Sequence, residues 1–297
     1  MNSAIILTVV TKKDSRRIDQ LLDQLTARIG EFERRFSRFL NNSELSNFNI
    51  RAGRRTTISK TFMEILTTAK SLSIQTNGLY NPLILPALQK AGYKGSWPNP
   101  GNEIKTLNFS DRAVLPATKI DIGRFWAQIP TNTAVDFGGL GKGYLLDNLA
   151  DYLYSQDETS FWLSLGGDII CSGHDIYSLP WDIAVQGALN QGTNVASFSN
   201  NRGRKLAVAT SGITKRNGIH NHKAWHHIID PQSGEPAATG VLTVSVTADK
   251  AVIADVYAKC IVIGGEEIAT TYKENRIIES FVVQAKGNST KVKIIKG

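Results

Sequence analysis

The stretch Asp136-Phe-Gly-Gly-Leu-Gly-Lys-Gly-Tyr144 constrains this chain most, because four glycines within six residues run straight into a helix-patterned segment, Tyr144 to Tyr154. Glycine lets the backbone turn sharply, approach a ligand closely and present its N–H groups. The start of the helix adds partial positive charge, and Lys142 adds a full one. Together they suit an anion, a diphosphate above all. The stretch is not a Walker A loop, since no glycine has the required spacing and Gly143 follows the lysine, nor does it fit G-x-G-x-x-G. A purely structural turn would use the same glycines, so at this point both readings stand.

The surrounding pattern predicts an α+β fold. An opening strand near Ile5 precedes Ser15 to Leu40, where Ile18, Leu21, Leu22, Leu25, Ile29, Phe32 and Phe36 recur at helical spacing. A polar loop is expected at Asn41 to Asn47. A second helix from about Ser59, with Phe62, Ile65, Leu66, Ala69 and Leu72 on one face, stops near Asn77-Gly78. Lys94 to Ala117, rich in Pro, Gly and Asn, reads as a long surface excursion. Short strands follow at Phe161–Leu165, Ile169–Cys171, Trp181–Val185, Leu206–Ala209, His227–Ile229 and Thr243–Thr247. A helix at Lys250 to Ile263 and a closing hairpin, Ile277–Ala285 with Lys291–Ile295 around Gly287-Asn-Ser, complete the chain. With few strand–helix–strand units, the sheets should be mostly antiparallel with packed helices. A length of 297 residues allows one domain or two intimately packed halves.

Composition excludes several classes. Hydrophobic residues at 41% and charged residues at 20% are those of an ordered globular protein. The two cysteines, Cys171 and Cys260, each lie alone in an apolar stretch and read as buried thiols. The first apolar run is too short for a signal peptide and its lysines, Lys12 and Lys13, follow it. No later run would span a bilayer, so the expectation is a cytoplasmic protein with no membrane partner. A formal charge of +8 favours polyanions, but the basic residues are scattered and no basic stripe interleaves with aromatics, which argues against nucleic acid.

Three further clusters carry chemistry. In Trp225-His-His-Ile-Ile-Asp-Pro-Gln-Ser-Gly234, strand alternation would turn His227 and Ile229 to one face and His226 and Ile228 to the other. Four of the five histidines lie within residues 220 to 227, but their spacing matches no standard zinc set. In Ala254-Asp-Val-Tyr-Ala-Lys-Cys260, Asp255 and Lys259 are one helical turn apart, the spacing of a surface ion pair. Leu163-Ser-Leu-Gly-Gly-Asp168 is a tight turn after an apolar strand.

Further ordered motifs are Ser37-Arg-Phe-x-x-x-Ser43-Glu-Leu-Ser-x-Phe-Asn49, Gly78-Leu-Tyr-Asn-Pro82, Ala209-Thr-Ser-Gly212 and His227-Ile-Ile-Asp-Pro-x-x-Gly234. With the glycine-rich stretch, Gly166-Gly-Asp168 and Ala254-Asp255, the chain resembles the FAD:protein FMN transferase (ApbE) family along nearly its whole length. The resemblance implies an ApbE-like, T-fold-like architecture and an FAD site. Phe39 stands where the family usually has a tyrosine that stacks on the flavin, and Leu79, Tyr80 and Asn81 match a flavin-contacting triplet that commonly ends in Asp. Asp136, Gly138 and Lys142 match the FAD-contacting loop, and Ile229 matches a contact behind the histidine. The family's Mg²⁺ would be held by the carbonyl of Gly139, by Asp255 and by a threonine whose place Lys259 takes here.

The implied reaction is attack by a Ser or Thr hydroxyl of an acceptor protein on the FMN-side phosphorus of FAD, releasing AMP. His227 is the expected base, with Asp230 orienting it or its loop, and Lys259 is expected to carry part of the charge of Mg²⁺. The alternatives are an FAD pyrophosphatase, a catalytically weak FAD-binding protein and, last, a basic nucleic-acid-binding domain.

Overall fold

The computed structural model describes residues 4–93, 95, 114–190, 192–220, 223–286 and 290–296. Its elements run β1 (Ile5–Val9), α1 (Ser15–Phe36), α2 (Glu44–Ile50), β2 (Thr56–Thr57), α3 (Lys60–Gln75), α4 (Leu85–Ala91), β3 (Asp121–Ile122), β4 (Trp126–Gln128) and α5 (Gly141–Ser155). They continue with β5 (Phe161–Leu165), β6 (Asp168–Ser172), β7 (Asp182–Gln186), β8 (Asn194–Ser199), β9 (Leu206–Gly212), β10 (Asn217–His220), β11 (Lys223–His226) and β12 (Val241–Ala248). Last come α6 (Ala251–Gly264), α7 (Glu267–Glu274), β13 (Ser280–Ala285) and β14 (Lys291–Ile295). Every pair of named strands is antiparallel, as an α+β reading requires. The excursion expected at Lys94 to Ala117 and the turn at Gly287-Asn-Ser fall largely outside the described residues.

The chain divides into two compact units. The first takes in Phe32–Gly139 and Lys215–Ala238. Its core is aromatic: Phe62 packs 5.0 Å from Phe48, 5.6 Å from Phe137 and 5.9 Å from Phe36, ring centre to ring centre, all four buried. Packing and capping account for the motif from Ser43 to Asn49. Ser43 caps α2 by accepting the Ser46 N–H at 3.0 Å. Glu44 accepts the N–H and hydroxyl of Ser59, the capping residue of α3, and pairs with Arg35. Leu45 and Phe48 are buried, and Asn49 clamps the backbone of Val135 with bonds of 2.8 and 2.9 Å in both directions. That clamp fixes the segment leading into Asp136.

Three sequence expectations are corrected in this unit. The polar loop at Asn41 to Asn47 contains the start of α2, because Ser43 supplies a cap that apolar periodicity does not register. Helix α1 ends at Phe36, four residues early, where the Ser37 hydroxyl takes the Phe39 N–H and stops the helical ladder. The strand expected at His227–Ile229 lies at Lys223–His226; Ile228 and Ile229 are both buried, so no strand alternation exists there.

The second unit holds the rest of the chain and a seven-stranded sheet ordered β1-β5-β6-β9-β12-β13-β14. Helix α6 packs on β9 and β12, and α5 packs on α6. The two helices approach so closely at Gly143 that a Cβ there would lie 2.4 Å from the Ala251 carbonyl oxygen. Gly143 is therefore needed for helix packing. Across this contact each helix start is met by a carboxylate of the other: Asp147 of α5 accepts the Ala251 and Val252 N–H groups at 2.8 and 3.0 Å, and Asp255 of α6 accepts the Gly143 N–H at 3.3 Å. Cys171 and Cys260 are buried and free. Among the described residues no helix is long and apolar enough to cross a membrane.

Burial pushes the Asp147 carboxyl up from 3.8 to about 6, against the pull of the Val252 and Ala251 N–H groups. A raised carboxyl pKa means that the folded state keeps a proton that the unfolded chain has already released. The parent should thus lose stability relative to Asp147→Asn as pH rises from about 4 to about 6, with a flat difference above that window. Urea melts of both proteins across this range check it; a parent that gains stability instead would show the carboxylate form to be the favoured one.

Candidate active site

Four charged side chains converge in the second unit. A two-residue turn, Gly166–Gly167 with φ of 61° and 93°, joins β5 to β6 and sets Asp168 opposite Leu165 at the head of β6. Asp168 is buried; one of its oxygens accepts the Thr210 N–H at 3.1 Å and the other pairs with the Lys142 ammonium. Lys142 itself stands in the first turn of α5, which begins three residues earlier than its apolar pattern predicts. Asp255 is equally buried: Oδ2 takes the Gly143 N–H, and Oδ1 pairs with Lys259 one turn along α6. The Asp255–Lys259 pair expected at the surface is therefore internal, with Asp255 1% and Lys259 15% exposed at the side chain.

Two carboxylates and two ammoniums give this cluster no net formal charge. Burial pushes the Asp255 carboxyl up, but Lys259, Lys142 and the Gly143 N–H together hold it below the ordinary value. At Asp168 burial prevails over Lys142, and the neighbouring Asp255 adds to the rise. The two carboxyls are coupled, so they titrate as a pair.

The first unit gathers aromatic side chains. Tyr93 lies 6.3 Å from Phe39, 5.9 Å from Trp225 and 6.2 Å from His227, ring centre to ring centre. Ile229 belongs to the same apolar cluster, together with Ala87 and Leu88. Thus Phe39 meets His227 and Ile229 around Tyr93, a residue that sequence reasoning missed because it abuts the Pro-, Gly- and Asn-rich sequence that begins at Lys94. Asp136 is buried and is linked to them through Arg38, which stacks on Phe39 and Tyr93: its Oδ1 accepts the Gly138 N–H at 2.8 Å and its Oδ2 faces Arg38 Nε at 3.6 Å. Gly138 and Gly139 are accessible to solvent.

The histidines separate clearly. His227 Nδ1 lies 3.3 Å from the Arg216 carbonyl, which only accepts, so Nδ1 carries the proton and Nε2 is the basic nitrogen of the neutral ring. His226 bonds through Nε2 to the Ala237 carbonyl at 3.0 Å, and burial lowers its pKa. Asp230 is committed to its own loop, accepting the Gln232 N–H and the Ser233 hydroxyl, while the Arg216 carbonyl orients His227. Among the described residues no group of three or more His, Cys, Asp or Glu side chains is placed to hold a metal; His222 lies outside them.

Of the triplet, Leu79 is half-buried, whereas Tyr80 and Asn81 are buried. Asn81 uses both ends of its amide locally, donating to the Leu115 carbonyl at 3.0 Å and accepting the Leu83 N–H at 2.9 Å.

Residues 1–282 match the model of the ApbE family. An FAD:protein FMN transferase of Klebsiella pneumoniae is 22% identical over 291 residues, covering 94% of this chain and 81% of that protein. One of Treponema pallidum is 26% identical over 282 residues, covering 90% and 77%. The solved flavinyl transferase ApbE of Pseudomonas stutzeri superposes with a TM-score of 0.83 at 20% identity, over 100% of this chain and 92% of that one. The ApbE protein of Thermotoga maritima gives 0.83 at 18% identity, over 98% and 93%. The chain belongs to the ApbE family.

Proposed function

We propose that this chain transfers FMN from FAD to a Ser or Thr hydroxyl of an acceptor protein. The carrying observation is His227: its basic nitrogen is fixed by the Arg216 carbonyl, and its ring lies against Tyr93 among the aromatic side chains that suit a flavin. In the reaction the acceptor oxygen bonds to the FMN-side phosphorus and the bond from that phosphorus to the AMP oxygen breaks. The acceptor's proton passes to His227 Nε2, and AMP leaves with the electron pair. Phosphoryl transfer asks the protein mainly for positioning and charge stabilisation. Lys142 and Lys259 supply cations for a diphosphate; Lys259 uses two of its three donors on Asp255, leaving the third for a ligand oxygen.

The Mg²⁺ that the resemblance implies does not fit the donor set. A protonated lysine offers no lone pair. The Lys259 ammonium occupies Asp255 Oδ1, and the Gly143 N–H occupies Oδ2. Bringing a divalent cation to this carboxylate would set like charges side by side in a poorly solvated place. We read Lys259 as the built-in replacement for that cation.

Incubation with FAD and a cell lysate, followed by in-gel fluorescence, should show a covalently flavinylated band; FMN and AMP formed with no labelled protein would make the chain a pyrophosphatase. Labelling should survive EDTA, and Lys259→Thr should make it depend on added Mg²⁺. Labelling by the parent that EDTA abolishes and Mg²⁺ restores would sink the lysine replacement. His227→Ala should slow transfer by about 10²–10⁴-fold while the FAD dissociation constant shifts no more than severalfold. Equal transfer rates at saturating FAD would remove His227 as the base.

A further inference from the structure

Among the described residues, Arg38 is the charged side chain with buried, unpartnered atoms. Its side chain is 5% exposed, yet its Nη1 and Nη2 atoms are buried without a hydrogen-bond partner. A guanidinium keeps its charge and carries four N–H donors on those two nitrogens. Leaving such donors buried and unpaired is costly, and native structures rarely do it without a use for them. The charge itself is answered, by Asp136 Oδ2 at 3.6 Å from Nε. What is missing is an acceptor for the outer edge of the fork.

The surroundings say what kind of acceptor. The guanidinium carbon lies 4.5 Å from the centre of the Phe39 ring and 4.7 Å from that of Tyr93. Tyr93 in turn touches Trp225 and His227. A flat aromatic ligand with carbonyl oxygens on one edge satisfies both features: its faces suit the rings, and its edge oxygens suit a planar fork. A phosphate suits the site less well, because Asp136 already neutralises the cation and would repel a second anion. Phe39 is half-buried in the loop after α1, so this ring is partly reachable from solvent.

We propose that Arg38 binds the pyrimidine edge of the isoalloxazine ring, donating from Nη1 and Nη2 to its carbonyl oxygens, and so selects a flavin over other adenine dinucleotides. This rests on the reading of FAD as substrate. Adjacent in sequence, Arg38 and Phe39 would then grip the ring by edge and by face.

The test compares FAD, riboflavin and ADP binding to the parent and to Arg38→Lys and Arg38→Met. Riboflavin has the ring and no phosphate; ADP has the diphosphate and no ring. Arg38→Lys keeps the charge beside Asp136 and removes the fork, so it should fold like the parent. Both variants should lose about tenfold or more in affinity for FAD and for riboflavin alike, the scale of a charged hydrogen bond, with ADP unchanged. A loss for FAD and ADP that spares riboflavin would make Arg38 a phosphate ligand and overturn the proposal. Unchanged FAD affinity in folded Arg38→Lys would also overturn it, leaving the FAD reading intact. A parent that binds neither FAD nor riboflavin would sink both.

Discussion

In the second unit the close crossing of α5 and α6 governs the charged site. Gly143 lets the backbones meet, and the meeting brings each helix start within reach of the other helix's carboxylate. Helix starts leave N–H groups without internal partners and carry partial positive charge. Asp147 and Asp255 answer both needs at once. Asp255 cannot be buried as an anion on that basis alone, and the Lys259 ammonium supplies the remaining compensation. Asp168 and Lys142 repeat the arrangement on the neighbouring strand and helix. The chemistry offered to a ligand is therefore an outgrowth of the packing. A side chain larger than hydrogen at position 143 would separate the helices and break the bonds by which Asp147 and Asp255 each cap the other helix's start.

The glycine-rich stretch consequently has two jobs that sequence alone could not divide. Gly143 serves helix packing, whereas Gly138 and Gly139 remain accessible in the first unit. Gly138 has a local constraint as well, since a Cβ would press to 3.2 Å from the Asp136 carboxylate that binds its N–H. Lys142, expected as a cation waiting for an anion, is held by Asp168.

Long apolar periodicity was legible: α1, α3, α6 and the strand Phe161–Leu165 follow directly from it. The short strands expected at Ile169–Cys171, Trp181–Val185, Leu206–Ala209 and Lys291–Ile295 also form, whereas the short helix α2 was hidden. Helix α2 depends on a serine cap and has only Leu45, Phe48 and Asn49 buried, too few for a period to show. The pairings of the site were also hidden, because Lys142 and Asp168 are 26 residues apart and Asp147 reaches a backbone 104 residues away. No local pattern encodes such contacts. The motifs named Phe39, His227 and Ile229 through family resemblance; that they surround Tyr93 is a property of the fold.

The two departures that the resemblance implies, Asn81 and Lys259, look related when read along the sequence, since each would make its surroundings more positive. The structure gives each its own cause. At position 81 a carboxylate would accept the Leu83 N–H as well as the amide does, but it would lose the donor that now satisfies the Leu115 carbonyl and would set an acceptor against an acceptor. Asn81 is thus explained by backbone bonding within the first unit, without reference to a metal. Lys259 is different: its ammonium neutralises a carboxylate whose other oxygen caps a helix, so its charge is tied to the charge that a bound cation would carry.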